Sequence, residues 1–148
     1  MVTPVGEVRN DVQQRPADGW ESIVSEIRVR DKFAQALYGL EEFSHIMVLC
    51  WFHLSEGRNR ETLRVHPMGR NDLPEVGVFA TRSPRRPNPI AVSVCRLLAR
   101  EKQLLRVKGL DAVDGTPVLD IKSFSDRNLP GDTRGPAWLD EIVPGRGS

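Results

Sequence analysis

A succession of short apolar runs, each closed by Gly, Pro or Asp, constrains this chain more than any other feature. Strand-like stretches occur at Pro4–Arg9, Ser22–Val29, Ser44–His53, Glu61–His66, Glu75–Thr81, Ile90–Arg100, Gln103–Leu110 and Thr116–Ile121. Many short strands with such breaks predict a mainly β fold, a barrel or a sandwich. The 11 prolines and 12 glycines favour turns in the same way. One helical piece is predicted at Asp31–Glu42, capped by Asp31, with Phe33, Ala34 and Leu37 as a short apolar stripe and Gly39 weakening its end.

Within Ser44–His53, alternation puts His45, Met47, Leu49, Trp51 and His53 on one face and Ile46, Val48, Cys50 and Phe52 on the other. Both faces are apolar through the middle, which predicts a central strand covered on both sides. With 148 residues and no repeat or linker, a single domain over 1–148 is expected, with an irregular tail from about residue 123 in which Trp138, Leu139 and Ile142 offer a late anchor.

No run approaches the roughly 18 apolar residues that span a bilayer. The start, Met1-Val2-Thr3-Pro4-Val5, has no basic segment followed by an apolar one, so no signal peptide is expected. Cys50 and Cys95 lie inside apolar runs and read as buried small hydrophobes of a reducing compartment. These features predict a cytoplasmic location and no membrane partner. Net charge is only +1, but residues 58–86 hold Arg58, Arg60, Arg64, Arg70, Arg82, Arg85 and Arg86 against Glu61, Asp72 and Glu75. Such a patch suits phosphates, and it equally suits a solvated loop surface.

Several chemistries find no support. There is no G-x-G-x-x-G, no P-loop and no serine in a nucleophile elbow. His45 and His53 share a face, but eight residues of strand would hold them about 26 Å apart, too far for one metal. Asp111, Asp114 and Asp120 do not match a calcium loop.

Three segments stand out as sites. In Thr81-Arg82-Ser83-Pro84-Arg85-Arg86-Pro87-Asn88-Pro89-Ile90 the prolines remove backbone donors and fix φ, which excludes helix and central strand. A stiff loop bearing arginines suits anion recognition, since little ordering entropy is lost on binding; a plain rigid connection is the other reading. Asp114-Gly115, between two apolar strands, predicts a hairpin turn, whose free N–H and C=O groups could read an adenine edge. Ser44 and His45 stand at one mouth of the buried strand and His53 at the other, as pocket-rim candidates or as satisfied buried side chains.

Gly39–Leu49 (GLEEFSHIMVL), Gly77–Ile90 (GVFATRSPRRPNPI) and Leu110–Lys122 (LDAVDGTPVLDIK) together resemble the TrmO family, also called YaeB/TsaA-like. The blocks keep the family's order and intervals, so the resemblance spans roughly residues 4–124. It implies a small β-barrel enzyme, a homodimer, that uses S-adenosylmethionine to methylate N6 of threonylcarbamoyladenosine at tRNA position 37. By resemblance, cofactor contacts fall at His53, Leu54, Arg82, Val92, Ala112, Val113, Asp114 and Gly115, so that the proline-arginine loop and the Asp-Gly turn clasp one nucleoside. Arg85, Arg86 and Asn88 are expected to meet the tRNA, and no catalytic base is assigned. The chain departs from the family's pattern at Ala91, usually Gly, and at Ser123-Phe124, usually Pro-Tyr; Arg15-Pro16 is expected in place of a Pro-Arg-Gln loop. Two other readings stay open: a methyltransferase of this fold with another RNA or a small molecule as acceptor, and a non-catalytic barrel that binds a nucleotide-like ligand.

Overall fold

The computed structural model describes residues 1–14, 19–55 and 60–142. Arg15, Pro16 and Arg58 lie outside the described residues. The strands in chain order are β1 (Gly6–Arg9), β2 (Val24–Val29), β3 (His45–Trp51), β4 (Arg64–Val65), β5 (Val76–Gly77), β6 (Ile90–Glu101), β7 (Leu104–Lys108) and β8 (Pro117–Phe124). Two compact units are formed: one from Met1–Leu54 with Ile90–Leu129, the other from Ser55–Pro89 with Pro130–Ser148.

The first unit is a closed barrel in the order β1-β2-β7-β6-β3-β8, with β8 returning to β1 and every pair antiparallel. Period-two alternation fills its interior. Along β2, Ser25, Ile27 and Val29 are buried while Val24, Glu26 and Arg28 face out. Val8, Ile27, Ile46, Val48, Leu105, Val107 and Val118 are each 0% exposed, and Cys95 joins them. Each such Val, Ile or Leu contributes about 1.5–3 kcal/mol by leaving water, and closure leaves no barrel edge for another chain to extend.

β3 is central, between β6 and β8, but only its inward face is fully covered. Ile46, Val48 and Cys50 are buried, whereas Met47, Leu49 and Trp51 are half-buried. The Asp31–Glu42 segment is not an α-helix. It forms two 3₁₀ segments, Asp31–Leu37 and Leu40–Glu42, separated at Gly39, whose φ of 85° lies in the left-handed region that only glycine enters freely. Asp31 does not cap; its carboxylate accepts from Gln103 Nε2 at 2.9 Å instead. Tertiary contacts hold the segment: Leu37 is buried in the barrel core, and the Arg100 guanidinium pairs with Glu41 at 3.1 Å.

In the second unit, the strands expected at Glu61–His66 and Glu75–Thr81 shrink to the two-residue pair β4 and β5. Pro67 diverts the chain after β4 into a 3₁₀ turn, and a second turn at Val78–Ala80 ends β5. Leu73 and Val78 are its buried apolar residues. Beyond β8 a 3₁₀ turn covers Asp126–Asn128, and Leu139–Ile142 form one α-helical turn in which Leu139 is 37% exposed and Trp138 half-buried. Among the described residues no helix is long and apolar enough to cross a membrane.

Candidate functional site

Strand register gathers much of the expected cofactor set at one end of the barrel. Trp51 pairs with Ile90 and Cys50 with Val118, so β3 leaves the barrel where β6 and β8 enter it. His53 and Leu54 follow in a 3₁₀ turn. His53 Nδ1 is buried with no hydrogen-bond partner among the described residues, while Leu54 is 58% exposed. An unpaired buried ring nitrogen costs free energy unless a ligand or water meets it. Val92 lies farther along, facing out from β6 opposite Leu49.

The Leu110–Thr116 corner occupies the same end. Val113–Thr116 is a turn closed by Thr116 N–H to Val113 C=O at 3.3 Å, with Gly115 at φ 81°. It is not a hairpin. β7 pairs with β2 and β6, and β8 with β3 and β1, so the segment crosses the barrel mouth past β1 and β2. Several groups expected to be free are therefore committed to the barrel: Asp114 N–H donates to Val12 C=O and Gly115 N–H to Val8 C=O, each at 2.8 Å.

Asn10 organises this corner. Its Nδ2 donates to the Ala112 carbonyl at 2.8 Å and to Ser25 Oγ at 2.9 Å, its Oδ1 accepts from Val12 N–H, and its own N–H donates to Asp114 Oδ1 at 3.0 Å. Sequence reasoning missed Asn10. Its only signal is a polar residue directly after a β-run, which is common at strand ends. What the corner leaves available is the Val113 N–H, which no hydrogen bond among the described residues uses, and the second oxygen of Asp114. Beside it an open groove of about 600 Å³ is lined by Gly6, Glu7, Arg28, Arg30, Gly115 and Pro117, a volume suited to a nucleoside-sized ligand. Of the expected cofactor residues only Gly115 lines that groove.

The proline-arginine loop belongs to the second unit. Its prolines cannot donate, and hydroxyls replace them: Thr81 Oγ1 donates to Val78 C=O and accepts from Ser83 N–H, and Ser83 Oγ accepts from Arg85 N–H. Arg86 is spent on the loop itself, since its Nη1 donates to the carbonyls of Thr81 and Ser83 and its guanidinium lies 6.0 Å from the Phe79 ring centre. Asn88 Oδ1 accepts from Arg60 at 3.3 Å, and Arg64 and Arg70 pair with Glu75 and with Asp72 and Glu141. Arg82 and Arg85 differ: both are exposed, and among the described residues neither forms a side-chain hydrogen bond or ion pair. Among the described residues the basic stretch thus offers Arg82 and Arg85 as guanidiniums able to meet an anion.

Burial pushes both cysteine thiols up to about 12, and at Cys50 the neighbouring Cys95 and Asp111 charges add to the rise. They are free, buried and inert, as packing groups. Among the described residues no group of His, Cys, Asp and Glu gathers to hold a metal.

The family of tRNA-methyltransferase O N-terminal domains matches residues 9–128. A probable S-adenosyl-L-methionine-binding protein of Methanothermobacter thermautotrophicus is 46% identical over 127 residues, covering 83% of this chain and 88% of that protein. The tRNA (adenine(37)-N6)-methyltransferase of Escherichia coli is 46% identical over 96 residues, 62% of this chain and 40% of that protein. A crystal structure of TrmO from Pseudomonas aeruginosa superposes with a TM-score of 0.73 at 31% identity, covering 93% of this chain. The present chain spans 60% of that solved chain.

Proposed function

The chain belongs to the family of tRNA-methyltransferase O N-terminal domains, and from that premise we propose that it methylates a tRNA adenosine with S-adenosylmethionine, the acceptor being N6 of threonylcarbamoyladenosine at position 37. The observation that carries the reading is the convergence of His53, Leu54 and the Ala112–Gly115 corner at one barrel mouth, with a buried unpartnered nitrogen on His53 and an uncommitted N–H on Val113.

These residues fit the cofactor. Val113 N–H can meet an acceptor on the adenine edge, and the second Asp114 oxygen can accept from its amino group or from a ribose hydroxyl. Leu54 offers an exposed apolar wall, and Arg82, in the other unit, carries an exposed guanidinium fork of the kind that binds a carboxylate. When bound, S-adenosylmethionine supplies a sulfonium methyl, transferred in line as the S–C bond breaks and the N6–C bond forms. The chain's part is positioning, and rigid anchorage of the corner through Asn10 serves it. The proton displaced from N6 passes to water or to a base; His53 and Asp114 stand at this mouth, and neither is assigned that role.

The reading includes a homodimer in the cytoplasm. Supporting the dimer, β6 turns Ile90, Val92, Val94 and Leu98 outward, each 40–43% exposed, beside half-buried Met47, Leu49 and Trp51 on β3. A row of this kind on an outer wall is a natural isologous contact. A second reading, the same chemistry on another acceptor, draws on the Methanothermobacter relative, which matches along most of both chains and whose name specifies only the cofactor.

The test is single-turnover transfer from methyl-labelled S-adenosylmethionine to tRNA, with and without threonylcarbamoyl adenosine, followed by mass spectrometry of the nucleosides. Label on N6 of that nucleoside alone is the expected result. Label elsewhere on RNA establishes the second reading, and no label on any RNA refutes every RNA acceptor and leaves only a small-molecule one.

A further inference from the structure

We propose that the outer wall of the barrel across β7, β6, β3 and β8 is the face on which a single-stranded stretch of the tRNA lies; this rests on the reading above, and extends it to a surface away from the barrel mouth. Lys108 pairs with Arg96, Arg96 with His45, and His45 with Phe124, so the four form one continuous cross-strand row. Their neighbours Val107, Cys95 and Ile46 are buried in the barrel, which turns the row itself outward. Lys108 and Arg96 are exposed, and His45 and Phe124 half-buried. Adjacent members stand about 5 Å apart and the row crosses about 14 Å of sheet.

Two features single this row out from its neighbours. In the adjoining row across β1, β2 and β7 the cations face a carboxylate, Glu26 lying between Arg9 and Arg106. In this row Lys108 faces Arg96 directly, and among the described residues neither forms an ion pair. Like charges directly opposite on a sheet destabilise it. A polyanion laid across them removes that repulsion and releases its own counterions.

The second feature is the far end of the row. Phe124 places an aromatic ring beyond the cations, and cations that track a backbone combined with a ring that stacks a base is how proteins hold single-stranded nucleic acid. A duplex would find cations here but no use for the ring, and a single strand uses both. The row also borders the outward apolar positions Val94 and Met47, which lie two residues on in the same strands.

The test uses the full chain, tRNA binding by fluorescence anisotropy across a salt series, and S-adenosylmethionine binding by calorimetry. Losing two phosphate contacts in the Arg96→Ala, Lys108→Ala double variant should flatten the log–log salt slope by about 1.5 and weaken binding about 30-fold near 0.1 M salt. Phe124→Ala should cost about 10-fold with an unchanged slope. Arg96→Lys should restore the slope, and cofactor affinity should stay at the wild-type value in every variant. If the wild type binds tRNA and the double variant matches it in slope and affinity, the surface is overturned while the methyltransferase reading stands. The surface is also overturned if these variants change the oligomeric state instead. A wild type that neither binds nor methylates tRNA sinks both.

Discussion

Replacing Asn10 by alanine tests the idea that one side chain holds the barrel corner in place. The substitution removes three side-chain hydrogen bonds: to Ser25 Oγ, to the Ala112 carbonyl, and from the Val12 N–H. Ser25 is 1% and Ala112 2% exposed, so water cannot readily replace Asn10 at those two partners. Val12 is half-buried and can find water. Leaving two buried polar groups unsatisfied at about 1–3 kcal/mol each predicts a loss of about 3 kcal/mol, with a small remainder from the third bond. At a typical urea dependence of about 2 kcal/mol per M, the unfolding midpoint falls by about 1.5 M. Tryptophan fluorescence through a urea series reads it, and the same protein titrated with S-adenosylmethionine should bind more weakly because Ala112–Gly115 loses its anchor. A midpoint within about 0.3 M of wild type at equal slope would refute the reasoning. It would mean that the backbone bonds from Asp114 and Gly115 to β1 and its extension suffice.

Arg82→Ala should weaken S-adenosylmethionine binding about 10- to 100-fold, the range for losing a charge-assisted hydrogen bond, while leaving the urea midpoint unchanged because Arg82 is exposed and pairs with nothing described; wild-type affinity by calorimetry removes Arg82 from the site. Val94→Glu, at a 43% exposed position, should convert a dimer to a particle of the chain's 16.6 kDa in sedimentation equilibrium, and a variant still dimeric places the contact elsewhere. The thiols make a pH prediction. Their folded values, about 12 against an ordinary 9.0, lie above the unfolded ones, so the stability they contribute is complete below about pH 9 and is lost as pH rises toward 12. Alkaline unfolding should therefore be shallower in a Cys50→Val, Cys95→Val variant, and equal alkaline profiles count against burial as the cause.

Much of the barrel was legible because a strand's burial is a local property. Alternation within Ser44–His53 grouped Ile46, Val48 and Cys50 on one face, and the structure buries all three, although the cover expected on the opposite face is only partial. The T-R-S-x-x-R-P-N-P-I string was equally legible as a stiff, non-regular loop, since proline acts on its own φ and on the residue before it. The helix at Asp31–Glu42 failed because its few apolar residues answer to the barrel wall, and Gly39 and the Arg100–Glu41 pair set its path. The strands around residues 61–66 and 75–81 were overdrawn because a β-rich composition cannot report where Pro67 or a closing 3₁₀ turn ends the pairing.

The amino-acid order alone determined the mainly β character, the stiff arginine loop and the family pattern, because each is written in residues close together in the chain. Only the tertiary structure decided that Asp114-Gly115 is a crossing corner and not a hairpin, that Asn10 holds it from 104 residues away, and that Lys108, Arg96, His45 and Phe124 share one row. It also decided that Arg86 pins its own loop while Arg82 and Arg85 have no side-chain partner among the described residues. Which strand lies beside which is settled by closing the barrel around its core, a condition on the whole chain at once, and no local pattern carries it.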